Sequence, residues 1–135
     1  MQIKREIDIE DEVRRALSGY IAAYCRPLPK AYTLPNVLIQ QVGGSDLNDI
    51  DTFDVVLDAR AETPAEALET LRNAVGILRT VAKEQTTEIR HITINSSGAW
   101  GNDPVRPDLS MCSARLRIVA HIENTEVLPN GNSRH

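Results

Sequence analysis

Aromatic side chains are scarce in this sequence: one tryptophan, one phenylalanine and three tyrosines among 135 residues. A platform that stacks single-stranded bases needs several aromatics on one surface, so recognition of bases is disfavoured. Basic excess is missing as well. A net charge of -4 and a pI near 5.3 do not provide the electrostatic footprint of duplex-DNA binding. The longest strongly apolar runs, Val37 to Ile39 and Ile118 to Ala120, fall far short of the ~20 residues that a membrane helix needs. The opening eight residues, Met1 to Asp8, hold no apolar run and no small-residue cleavage site, so the chain reads as made in the cytoplasm. Cys25 and Cys112, far apart in such a chain, are expected to be reduced thiols rather than a bridge.

What is there is the balance of an ordinary folded domain, 25% charged and 41% apolar. We read residues 1–123 as one α+β domain and 124–135, with Pro129, Asn130, Gly131 and Asn132, as a polar tail expected to be disordered in isolation. Within the domain, Asp8 to Tyr24 predicts a helix, because Val13, Ala16, Leu17, Tyr20 and Tyr24 recur at helical spacing. Acidic residues load its first turns, Glu10/Arg14 and Asp11/Arg15 are i, i+4 pairs, and Pro27 and Pro29 stop it. Asn36 to Val42 predicts a short strand ended by Gly43-Gly44. Asp51 to Ala61 predicts a longer one, antiparallel to the first, with Asp54, Val56, Asp58 and Arg60 on its wet face.

Thr63-Pro64-Ala65-Glu66 is the clearest local signal, a capping box with proline at the first helical position. The helix that follows should bury Leu68, Leu71, Val75, Leu78 and Ala82. Gly76 inside it is expected to admit a neighbouring backbone. Glu88 to Asn95 and Leu109 to Ile122 are the third and fourth strands. In the fourth, Cys112, Ala114, Leu116, Ile118, Ala120 and Ile122 are all apolar, while Ser113, Arg115, Arg117 and His121 make the other face polar. A slip of one residue would bury two arginines, which fixes the register. The expected order is α-β-β-α-β-β, one mostly antiparallel four-stranded sheet with helices packed on a face.

Chemistry-bearing motifs are absent. The acidic run Asp46 to Asp51 would put Ile50, Asp51 and Leu57 at the wrong places of a calcium loop and reads as a solvated turn. His91, His121 and His135 do not share metal-ligand spacing with each other or with the cysteines. No nucleophile elbow, phosphate-binding glycine loop or dinucleotide fingerprint occurs, so no catalytic residue, metal or cofactor is assigned. The segment Ser96 to Asp108 stands out instead. It is long for a hairpin loop and holds the lone Trp100 with Asp103, Arg106 and Asp108, tryptophan and arginine being the residues most enriched at interface hot spots.

Over roughly Val13 to Glu123 the chain resembles the tail terminators and related neck proteins of long-tailed bacteriophages. The likeness is carried by the opening helix, Val42-Gly43-Gly44, the strand Val55-Val56-Leu57-Asp58-Ala59-Arg60, and the helix from Thr63. It continues through Trp100 with Asp103-Pro104 and the last strand Ala114-Arg115-Leu116-Arg117-Ile118. The resemblance implies a virion protein made in a bacterial host: a subunit of a ring, typically of six copies, that caps the head-proximal end of the tail tube. Such a ring ends tube growth and docks the head connector. DNA passes through it without sequence-specific binding, which an acidic balance suits. Neither cofactor nor membrane is implied. Ring contacts are heterologous and need two complementary faces. Candidate contact residues are Asp54, Asp58, Arg115 and Arg117 with Trp100, Asp103, Arg106 and Asp108, and the two arginines are expected to meet Asp54 or Asp58. The alternatives are a head-completion or connector protein, usually of twelve copies, and a small oligomeric enzyme or ligand-binding domain with its pocket near Arg115, Arg117 or His121.

Overall fold

The computed structural model describes residues 1–47, 50–129 and 133–134. Both expected helices form. The Asp8 carboxylate accepts the Asp11 amide at 3.2 Å and caps α1 (Ile9–Leu17). The helix ends a full two turns before the expected Tyr24, because Ala22–Cys25 is a strand, β2, paired parallel with residues 36–39. Tyr20 and Tyr24 share helical spacing with Val13 by coincidence. Tyr20 is left exposed, and the Tyr24 hydroxyl accepts the Thr33 amide at 3.0 Å. Of the expected pairs, Asp11/Arg15 forms at 3.1 Å, but Glu10 turns away from Arg14 to accept the Gln41 amide at 3.0 Å.

Helix α2 (Pro64–Glu84) starts where the capping signal puts it, with the Thr63 hydroxyl accepting the Glu66 amide at 3.2 Å. Gln85 closes it in the left-handed conformation, φ 56°. Its buried face is Ala67, Leu71, Ala74, Leu78 and Ala82. Leu68, expected in that stripe, sits beside it and is 37% exposed. Gly76 also departs from expectation, since a Cβ there would meet nothing within 4 Å. Its freedom is therefore unused, and Gly76→Ala should stabilise the chain by about 1 kcal/mol, read as a higher urea midpoint at unchanged slope.

The four expected strands are present, but among the described residues the main sheet has five. β2, β3 (Asn36–Leu47), β4 (Ile50–Ala61), β5 (Ile89–Asn102) and β6 (Ser110–His121) lie in the order β2-β3-β4-β6-β5, antiparallel except at β2/β3. A second small sheet joins β1 (Gln2–Arg5), β7 (Glu123–Val127) and β8 (Ser133–Arg134). The α+β class thus stands, and the count of four strands is corrected. Periodicity missed β1, β2 and β7 because each is four or five residues long with no buried alternation to reveal it. Residues 123–127, assigned largely to the tail, gain the β1 edge as a partner.

Gly43-Gly44 does not end β3. The register shifts between Gln41 and Gly43, and the strand continues. A Cβ on Gly44 would lie 2.7 Å from the Thr52 carbonyl oxygen, so glycine there admits the facing backbone. The acidic turn reading falls partly on Asn48 and Asp49, which lie outside the described residues, and Asp51 at its end is buried rather than solvated. His135 and the tail residues Asn130 to Asn132 also lie outside.

Both helices cover one face of the sheet. Ile9, Val13 and Leu17 of α1 and the α2 stripe meet Val37, Ile39, Phe53, Val55, Leu57, Leu116 and Ile118 in one core. β6 keeps its expected alternation, with Cys112, Ala114, Leu116, Ile118 and Ala120 buried and Arg115, Arg117 and His121 exposed. Among the described residues the opposite face carries no helix. Cys25 and Cys112 are free thiols, and burial raises both above the ordinary thiol pKa.

Candidate functional site

The sharpest chemistry lies where two loops cross the helix-free face at one end of the sheet. Arg60, read from alternation as solvent-facing, is 2% exposed. Its Nε donates to the Asp103 carboxylate, and its guanidinium carbon lies 4.9 Å from the centre of the Tyr32 ring. The two residues that seal it come from chain segments 28 residues before and 43 after, which no local pattern reveals. Nη1 of Arg60 is buried without a hydrogen-bond partner among the described residues. That is an expensive state for a charged donor.

Asp103 is the hub. Its other oxygen, Oδ1, accepts the amides of Val105 at 2.8 Å and Arg106 at 2.9 Å, and the Leu109 amide closes the turn on the Arg106 carbonyl at 2.9 Å. Burial alone would raise its pKa, but the Arg106 and Val105 amides and the Arg60 guanidinium outweigh that and hold the carboxyl below the usual range. The loop expected at Ser96 to Asp108 is accordingly much shorter: β5 runs to Asn102, and residues 103–109 make a pinned turn.

The other wall is the segment from Arg26 to Tyr32. Tyr24 holds it through Thr33, and the buried Asn36 amide donates to the Thr33 carbonyl at 2.9 Å. Arg106 bridges the walls. It donates to both oxygens of Asp108, at 3.1 and 2.7 Å, and to the Tyr32 hydroxyl at 3.4 Å. Between the walls runs a groove of about 920 Å³, floored by Leu38, Asp58, Arg60 and Met111 and rimmed by Arg26, Lys30 and Arg106. Four cations against the carboxylates of Asp58 and Asp103 make it basic in a chain that is acidic overall.

The other candidate residues fall elsewhere. Arg117 faces Asp54 across β4/β6 and pairs with it, Nε to Oδ1 3.2 Å, within the sheet. Asp58 faces Ser113, whose hydroxyl donates to it at 2.5 Å. Arg115 lies opposite Val56 and meets no carboxylate among the described residues. Trp100 is not in a loop; it sits on the edge strand β5 in register with Cys112, 53% exposed. Of the segment expected to form a surface, Arg106 and Asp108 are exposed, while Asp103 is turned inward. The groove is at the Arg60 end of the sheet, not beside Arg115, Arg117 or His121. Arg60, Tyr32, Arg26 and Lys30 were missed as site residues. The one available signal was the proline-flanked cationic run Arg26-Pro27-Leu28-Pro29-Lys30, read only as a helix stop.

Among the described residues no three His, Cys, Asp or Glu side chains converge to hold a metal ion, and no helix is long and apolar enough to cross a membrane. Comparison with protein-family models and with curated proteins finds no match to this chain.

Proposed function

We propose that the chain is the tail terminator of a long-tailed bacteriophage: a ring-forming virion subunit, typically in six copies, that caps the head-proximal end of the tail tube and docks the head connector. The observation that carries the reading is the two-sidedness of the subunit. Helices cover one face of the sheet, while the other is left open along β3, β4 and β6 and bears the Asp54–Arg117 pair, Arg115 and the basic groove. Two unlike faces on one subunit are what a heterologous, closing contact requires. Gly44 admits the Thr52 backbone, Asp103 anchors a turn, and Ala114 to Ile118 lie on β6, hydrogen-bonded on both sides in the sheet.

Particles purified from an infected culture should contain the chain at the junction of head and tail, seen by antibody labelling in electron micrographs. Silencing its expression should leave tubes of uncontrolled length and unjoined heads. Absence from particles, or labelling at the distal tip, would end this reading. Twelve copies at the head portal would make it a connector. One observation favours a different reading, a small ligand-binding domain: a groove of this size over a buried, incompletely partnered arginine is a shape that also holds anionic small molecules.

A further inference from the structure

The groove is basic, its rim carries Val105 at 86% exposure, and Nη1 of its buried Arg60 has no hydrogen-bond partner among the described residues. At the same end of the sheet the start of α2 presents the reverse charge: Glu62, just before the Thr63 cap, and Glu66, in the first turn, are both exposed. β4 ends at Ala61 with Arg60 on the open face, and α2 begins three residues later and packs on the other face.

We infer that the groove receives the acidic start of α2 from a second copy of the chain, with Glu62 and Glu66 on the cations of the rim. The inference rests on the ring reading above and names the contact that builds the ring. Arg26 and Lys30 are exposed, and among the described residues Arg106 bonds Asp108 and Tyr32, so all three have donors left for carboxylates. Because donor face and acceptor face differ, the contact is head-to-tail, and repeating it gives a ring once the rotation between copies closes.

Charge exchange tests this on full-length chains. R26E/K30E makes the groove acidic and E62K/E66K makes the corner basic, and all four positions are exposed, so both variants should keep the wild-type circular dichroism. By mass photometry and sedimentation, each variant alone should need at least a tenfold higher concentration than wild type to assemble. An equimolar mixture should restore the wild-type oligomer, since each variant's corner then matches the other's groove. Variants that assemble as wild type does, or a mixture of folded variants that stays unassembled, overturn the inference. So does a wild-type chain that stays monomeric at 100-fold the concentration found in assembly reactions, or one whose groove binds succinate while no second copy enters it. Labelling of particles is read separately, so a failed charge exchange leaves the tail-cap reading standing, and a chain absent from particles leaves the contact standing.

Discussion

Asp103→Ala is expected to remove about 3–5 kcal/mol of folding stability, because it leaves the Arg60 guanidinium buried with no counter-charge. The Val105 and Arg106 amides lose their acceptor in the same step. Against a total of about 5–15 kcal/mol for a domain, that is enough to unfold much of the population at physiological temperature. The cost belongs to the broken pair rather than to the net worth of the pair. Arg60→Met with Asp103→Ala should therefore be less destabilised than the sum of the single changes, with a coupling of about 1–3 kcal/mol in a double-mutant cycle read by urea unfolding. Recovery stays partial, since Asp103 also pins its turn. Additive losses would mean that the two side chains do not depend on each other.

The same carboxyl sets a pH signature. Its pKa is depressed in the folded chain, so the stability it supplies is complete above its unfolded pKa of about 3.9 and is lost as pH falls through the lower, folded value. Asp103→Ala should flatten the acid limb of the stability profile in that window. Asp108 is depressed too, by its bonds from Arg106, but it is exposed and solvent screens it. Asp108→Ala should leave the limb nearly unchanged.

Much of the framework was legible because burial imposes a period. β6 has one face on the helices, so Cys112 to Ala120 had to alternate, and Thr63-Pro64 announces a helix start by local chemistry alone. The misses share one physical cause, contacts between residues distant in sequence. Ala22–Cys25 becomes a strand because residues 36–39 offer a parallel ladder, and spacing cannot show that edge. Arg60 looked wet because alternation separates one face of a strand from the other, not an open face from one roofed by Tyr32 and Asp103. The site was hidden for the same reason. Its parts are a proline-flanked loop, a strand end and a hairpin turn, and each is unremarkable until the fold brings them together.

Leu116→Ala should be nearly as damaging as the loss of Asp103, at about 2–5 kcal/mol, and its neighbour supplies the control. Leu116 is fully buried, between Val55 on one side and Ile94 on the other, on the face that α2 covers. Removing its isobutyl group forfeits the transfer free energy and leaves a cavity that a strand hydrogen-bonded on both sides cannot collapse to fill. Arg117, one residue on, points the other way, with its side chain 54% exposed and a 3.2 Å pair to Asp54. Arg117→Ala should cost no more than about 1 kcal/mol in the isolated chain, and less at high salt. If the open face is an interface, the ranking reverses for assembly: Leu116→Ala, at a temperature where it is folded, should assemble like wild type, whereas Arg117→Ala should weaken association through the charges it leaves unbalanced at Asp54. Both variants following stability alone would show that the open face takes no partner at Arg117, and would confine the contact to the groove end of the sheet.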